Sequence, residues 1–208
     1  MTGIIVEGIP GCGKAEALAR FRAHPRAAAL RSLVVLGEHY TERAIEHRQQ
    51  RAPERYEQLM YRILAALEPL RVLTVEGDVF EQEPAARLVY LVERFHLTNV
   101  LRHADGDPMM LKRVEGMMRF YNPHTLLIVA DPGQLEARLR AAAAQRPAAW
   151  RAGLWAGGED WETAARWCAE LQEGYLRLAA HCTLPTEVID VSTVGVEGVV
   201  ERMVALVS

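Results

Sequence analysis

The chain is poor in cysteine. Cys12, Cys168 and Cys182 are its three, an odd and scattered set without the paired spacing of a sequence-local metal site or a disulfide framework. They read as reduced thiols of a cytoplasmic protein. No apolar run approaches the ~20 residues that span a bilayer, so no membrane association is expected. The first expected strand begins almost at Met1, and no signal peptide is expected. Charge of one sign is also lacking: 24 basic against 27 acidic residues leave a net −3, which excludes a strong electrostatic pull toward nucleic acid. There is no internal repeat, no low-complexity tract and no break in composition. With 208 residues, half of them hydrophobic, the chain is long enough for one α/β domain with a substantial core, 1–208.

What is present is concentrated near the start, in GIIVEGIPGCGKAEALAR. The apolar run Gly3–Val6 predicts a strand, and the spacing of Ala15, Ala17, Leu18 and Ala19 predicts a helix. Between them, Gly8-Ile9-Pro10-Gly11-Cys12-Gly13-Lys14 matches G-x-x-x-x-G-K, the phosphate-binding P-loop. Glycines let such a loop turn its N–H groups inward. Those groups and the N-terminus of the following helix form an anion nest, with Lys14 reaching the outer phosphates. Gly8, Pro10, Gly11, Cys12, Gly13, Lys14, Ala15 and Glu16 are therefore the expected nucleotide-binding residues. The position after the lysine holds Ala15, where the motif has a Ser or Thr that ligates Mg²⁺.

Further strands are expected at Ser32–Leu36, Arg87–Val92, Thr125–Ala130 and Glu187–Val191. Helices are expected from Pro53 through Leu67, from about Phe95 to His103, over Met109–Phe120, after Asp131-Pro132, over Trp161–Ala180 and over Val196–Val207. Residues 71–84 fit either a strand through Val72–Val75 or an irregular insert. Strands alternating with helices predict a parallel sheet covered by helices on both faces. Ligands of such sheets lie beyond the carboxyl ends of the strands. That places Glu38 and His39 after the second strand, and Glu93 to His96 after the third, at the site. Tyr56, Gln58 or Tyr61 are alternative acceptor-pocket residues on a helix whose stripe reads most simply as core. Trp150, Trp155, Trp161 and Trp167 are explained as well by packing as by stacking on a ligand.

Taken in order, IIVEGIPGCGK, the Glu93-Arg94-Phe95 triplet, LLIVADPGQLEARLRAAAAQR, LQEGYLRLA and EVIDVSTVGVEGVVERM resemble segments of the thymidylate kinase and deoxynucleoside kinase group of P-loop kinases. The resemblance covers most of the chain and is weak between about 40 and 86. It implies a P-loop nucleoside triphosphate hydrolase-type fold, a five-stranded parallel sheet with an arginine-bearing lid at about 138–160. It also implies transfer of the γ-phosphoryl group of ATP, with Mg²⁺, to a small acceptor such as a nucleoside or nucleoside monophosphate. By position, Arg94 would clamp phosphate, Glu93 would help hold the metal, and Glu38 would take the acceptor's proton. Arg138, Arg140, Arg146 and Arg151 would supply the lid, Arg146 being the one assigned to catalysis. Gly37 stands before Glu38 where thymidylate kinases carry an arginine for an acceptor monophosphate. Two other readings stay open: an ATP-binding kinase-like sensor or partner-binding module with little catalysis, supported by Ala15, and metal-independent group transfer. The expected partner is a small molecule, with a homodimer left open.

Overall fold

The computed structural model describes residues 1–30, 32–43, 56–69, 71–72, 88–146, 150–151, 154–155 and 160–208. The expected helix start at Pro53, Leu73 onward in the 71–84 segment, Arg87 of the third strand, and 147–149, 152–153 and 156–159 of the lid lie outside them.

The chain runs β1 (Thr2–Gly8), α1 (Lys14–Ala23), the single turn α2 (Pro25–Ala28), β2 (Ser32–Leu36), a π-helical turn (His39–Arg43) and α3 (Tyr56–Ala65). It continues through β3 (Leu88–Glu93), α4 (His96–His103), α5 (Pro108–Met118), β4 (Pro123–Val129), α6 (Leu135–Ala144), α7 (Trp161–Ala179), β5 (Thr186–Asp190) and α8 (Val191–Leu206). The five strands form one sheet in the order β2-β3-β1-β4-β5, with every neighbouring pair parallel. Helices cover both faces. α1 packs on α8, while α7 packs on α4 and α6.

Burial follows rank in the sheet. β1 and β3, hydrogen-bonded on both edges, are buried almost throughout, and the edge strands β2 and β5 are partly exposed. That is why IIV and LVYLV read as unbroken apolar runs rather than as alternating ones. One glycine in β1 is dictated by packing. A Cβ on Gly3 would fall 2.0 Å from Cζ of Tyr90, whose ring crosses over it from β3. The Tyr90 hydroxyl donates to the Tyr121 carbonyl at 2.9 Å, so the phenol is satisfied within the core.

Several boundaries differ from expectation, among them the ends of β4 and β5. The helix over Met109–Phe120 begins at Pro108 behind an Asp107 cap that accepts from Met109 N–H, and it ends in a 3₁₀ turn at Arg119–Tyr121. Val72, a candidate strand start, is helical, and Arg71 N–H donates to the Leu67 carbonyl. The helix expected from Val196 begins at Val191, so Ser192–Val194 lie in the first turn of α8. Asp190 caps it by accepting from Ser192 N–H, and Gly195 (φ 68°) interrupts the helix before it resumes.

Candidate functional site

The carboxyl end of β1 and the start of α1 are joined by the glycine-rich loop 8–14. Gly8 is held at φ 137°, a conformation side chains rarely adopt, and a Cβ there would stand 2.3 Å from the Ile128 carbonyl oxygen of β4. The loop can leave the sheet only through a residue without a side chain. At the other end Gly13 (φ 87°) is the N-terminal boundary of α1 and contributes no side-chain cap. The first N–H groups of α1 are thus left for a ligand or water. The Lys14 ammonium turns back into its own loop. It donates to the Gly8 carbonyl at 2.8 Å and to the Ile9 carbonyl at 2.7 Å, and lies 3.6 Å from Cys12 Sγ. Burial pulls its pKa below the ordinary lysine value, and the Arg94 charge adds to the shift.

Arg94 follows β3 in a left-handed conformation (φ 52°). Its N–H donates to the Val6 carbonyl at 2.9 Å, extending the β1–β3 ladder past the end of the strand. Its guanidinium is 5 % exposed. It forms ion pairs at 3.3 Å with both Glu38, from after β2, and Glu42, from the π-helical turn. Glu42 also binds Arg102 of α4 at 2.7 Å. Burial opposes a charge on Arg94, but Glu42, Tyr175 and Glu38 outweigh it and hold the guanidinium firmly protonated.

The backbone around Arg94 is fixed from beneath by Glu7. This carboxylate is fully buried inside β1. Its Oε1 accepts from Phe95 N–H and Leu97 N–H, both at 2.9 Å, and its Oε2 accepts from the Thr98 hydroxyl at 2.5 Å. Thr98 in turn meets the Tyr175 hydroxyl at 2.7 Å. Thr41 Oγ1 donates to the Glu93 carbonyl, and Asn99 Nδ2 donates to the Thr41 and Phe95 carbonyls. The segment 93–98 is therefore held by β1, by the turn after β2 and by α7.

These parts border one cavity of about 480 Å³. Pro10, Gly11, Gly13, Lys14, Ala15 and Glu16 line one wall, and Gly8 and Cys12 stand behind it. Glu38, Glu93 and Arg94 line the second wall; Arg138, Arg146 and Trp150 belong to the third. Arg138 Nη2 reaches the Ser192 hydroxyl at 3.4 Å, which accepts from Asp131 N–H at 2.8 Å. The four lid arginines part company here. Arg140 does not border the cavity: it pairs with Glu136 at 2.7 Å and lies 5.2 Å over the Trp161 ring. Arg151 does not border it either. Trp161 meets Trp155 edge to face at 4.9 Å.

Glu7, Glu42 and Gln172 were not singled out from the sequence. Gln172 clamps Ala130 at the end of β4, accepting from its N–H at 2.8 Å and donating to its carbonyl at 2.9 Å. Only Glu7 carries a local signal, a carboxylate inside an otherwise apolar strand.

No family model matches the chain, and no curated protein matches it. Solved structures do. The YorR protein of Bacillus subtilis, in complex with phosphorylated GDP, superposes with a TM-score of 0.54 at 16 % identity, over 99 % of this chain and 95 % of that one. Shikimate kinase of Bacteroides thetaiotaomicron superposes with a TM-score of 0.51 at 15 % identity, over 99 % and 97 %. The chain has the fold of P-loop kinases at large; the likeness does not single out the thymidylate kinase group. Among the described residues, no helix is long and apolar enough to cross a membrane.

Proposed function

We propose that the protein is an ATP-dependent kinase that transfers the γ-phosphoryl group to a small acceptor of nucleoside or nucleoside monophosphate type. The observation that carries this reading is the convergence on one cavity of a glycine-rich loop with uncapped helix amides, Lys14, Arg94 and the carboxylates Glu38 and Glu93. Phosphoryl transfer needs little covalent chemistry from a protein. It needs positioning and neutralised charge.

The loop fits a phosphate chain. The Lys14 ammonium sits among the carbonyls of its own loop, and phosphate oxygens would offer it stronger, charge-assisted partners. A magnesium ion also fits, with a smaller set of ligands than usual. Ala15 offers no oxygen, but Glu93 borders the cavity, and Mg²⁺ commonly keeps several waters and takes only one or two carboxylates beside phosphates. When bound, the ion neutralises phosphate charge. Arg94, Arg138 and Arg146 border the same cavity as the loop. In the transfer itself, the acceptor oxygen bonds to the γ-phosphorus, its proton passes to Glu38, and the bond to the bridging oxygen of the nucleotide breaks. The acceptor class rests on the resemblance of the sequence segments and on the nucleotide held by YorR.

The test is transfer of labelled phosphate from ATP across a panel of nucleosides, nucleoside monophosphates, shikimate and gluconate. Transfer to a nucleoside-type acceptor is the expected result, and failure on every acceptor overturns the kinase reading. Two substitutions resolve the roles. Lys14→Ala is expected to weaken ATP binding at least tenfold, about 1.4 kcal/mol, in a calorimetric titration. Glu38→Gln is expected to slow turnover by about 10²–10⁴ with ATP affinity nearly unchanged. Unchanged turnover would remove Glu38 as the base and favour a phosphate over a hydroxyl as acceptor.

A second reading, a nucleotide-binding module with little turnover, is favoured by Ala15 alone. It requires ATP binding that depends on Lys14, together with silence across the whole panel.

A further inference from the structure

Away from the cavity, three side chains of metal-ligating type meet where α4, α5 and the turn after α7 come together. A ring nitrogen of His96, a carboxylate oxygen of Glu115 and Sγ of Cys182 all lie within 4.8 Å of one another. His96 and Glu115 are fully buried, and Cys182 is half-buried. His96 Nε2 stands 3.6 Å from Glu115 Oε1, and among the described residues neither atom has a hydrogen-bond partner. Buried polar atoms in that condition call for an explanation.

The spacing supplies one. An N–H···O bond ends near ~3.2 Å, and a charge-assisted one closes to about 2.7–2.9 Å. A protonated His96 paired with Glu115 would sit at the shorter distance. Two ligands of one tetrahedral ion behave otherwise. With bonds of about 2.0–2.1 Å to nitrogen and 2.0–2.2 Å to oxygen, they stand about 3.3–3.5 Å apart. The His96–Glu115 pair is close to the separation of two ligands with an ion between them, and an inward movement of the Cys182 thiol completes a third.

Nδ1 of His96 stands 3.6 Å from Glu7 Oε1, too far for a hydrogen bond, so both ring nitrogens are without a hydrogen-bond partner among the described residues. The other oxygen of Glu115 accepts from Thr183 N–H and from the Thr183 hydroxyl, both at 2.6 Å, which fixes the carboxylate. Outer partners of this kind orient ligating carboxylates. The thiol makes a weak contact with the Leu178 carbonyl at 3.8 Å.

We propose that His96, Glu115 and Cys182 bind one divalent cation of the zinc class, with water as the fourth ligand. One nitrogen, one oxygen and one sulfur suit zinc; magnesium and calcium take oxygen ligands. The bound ion ties α4 to α5 and to the turn before β5. His96 lies two residues after Arg94, so the same ion stiffens the foot of the segment that presents the guanidinium.

Cobalt reports the site directly. The full chain, stripped with chelator and titrated with Co²⁺, is expected to develop a near-ultraviolet sulfur-to-cobalt band and tetrahedral-type visible bands that saturate at one equivalent. Zn²⁺ is expected to abolish both, and excess Mg²⁺ neither. Cys182→Ser, a nearly isosteric change at a half-buried position, is expected to lose the sulfur band and to weaken zinc binding at least tenfold. Cys168→Ser is expected to keep both. No sulfur band in the unsubstituted protein, or a full band in Cys182→Ser, overturns the proposal. Should Cys182→Ser fail to fold, X-ray absorption of the zinc-loaded unsubstituted protein decides. One sulfur among nitrogen and oxygen neighbours supports the site, and a shell without sulfur overturns it.

Discussion

Glu7→Leu is expected to cost the fold about 3–5 kcal/mol in urea denaturation, while Glu7→Gln costs about 1–2 kcal/mol. The difference comes from what each leaves behind. Leucine strands two donors, Phe95 N–H and Leu97 N–H, in a site from which water is excluded, while the Thr98 hydroxyl keeps Tyr175 as a partner. Each buried donor without a partner costs about 1–3 kcal/mol. Glutamine can keep its carbonyl at the position of Oε1, where it still accepts from both backbone groups. Its amide then faces Thr98, whose hydroxyl can reverse and accept. Only the charge-assisted part of the network is lost. A Glu7→Leu protein within 1 kcal/mol of the unsubstituted one would mean that the segment 93–98 is held from elsewhere. Any transferase activity is expected to fall further than the loss of folded protein accounts for, because the anchored backbone is the one that carries Arg94.

Arg94→Met is expected to slow phosphoryl transfer by about 10³–10⁵ in single-turnover measurements, the range that a phosphate-directed arginine is worth in kinase-type chemistry. Nucleotide affinity is expected to change by about tenfold or less, because the loop amides and Lys14 remain. Arg94→Lys should recover only part of the rate. A lysine keeps the charge but lacks the planar fork that spans two oxygens. The fold should survive both changes: the buried Glu42 keeps its 2.7 Å pair with Arg102, and Glu38, the other carboxylate that Arg94 pairs with, is partly exposed to water. Rates within tenfold of the unsubstituted protein for both variants would leave Arg94 a structural residue that binds Glu38 and Glu42, and would take the phosphate-clamping role away from it.

Why some of this could be read from the sequence and some could not follows from the range of the interactions. The strand Ser32–Leu36 and the loop 8–14 are written in consecutive residues, apolar runs and glycine spacing, and the structure places both where the pattern does. The end of a parallel strand is equally local, which is how Glu38, Glu93 and Arg94 could be named together before any of their separations was known. Glu42 is different. Its role comes from Arg94 and Arg102, more than fifty residues away, and nothing in His39–Arg43 marks one carboxylate as buried. The lid arginines show the same limit. Spacing along α6 cannot tell Arg138, which reaches Ser192, from Arg140, which turns to Glu136 and Trp161. The His96–Glu115–Cys182 cluster has no linear spacing to recognise, since it forms only when two helices and a turn meet.

The central place of β1 has a consequence for how the chain is made. Thr2–Gly8 is synthesised well before its hydrogen-bonding partners, Leu88–Glu93 on one side and Pro123–Val129 on the other. At roughly 5–20 residues per second, about 6–24 s pass between synthesis of Gly8 and of Val129. Until Val129 is made, an apolar strand with at least one open edge, and the loop it carries, must wait without the full set of neighbours that bury them. The segment that defines the cavity is thus made before both of the strands that flank it and is enclosed only once the second is in place.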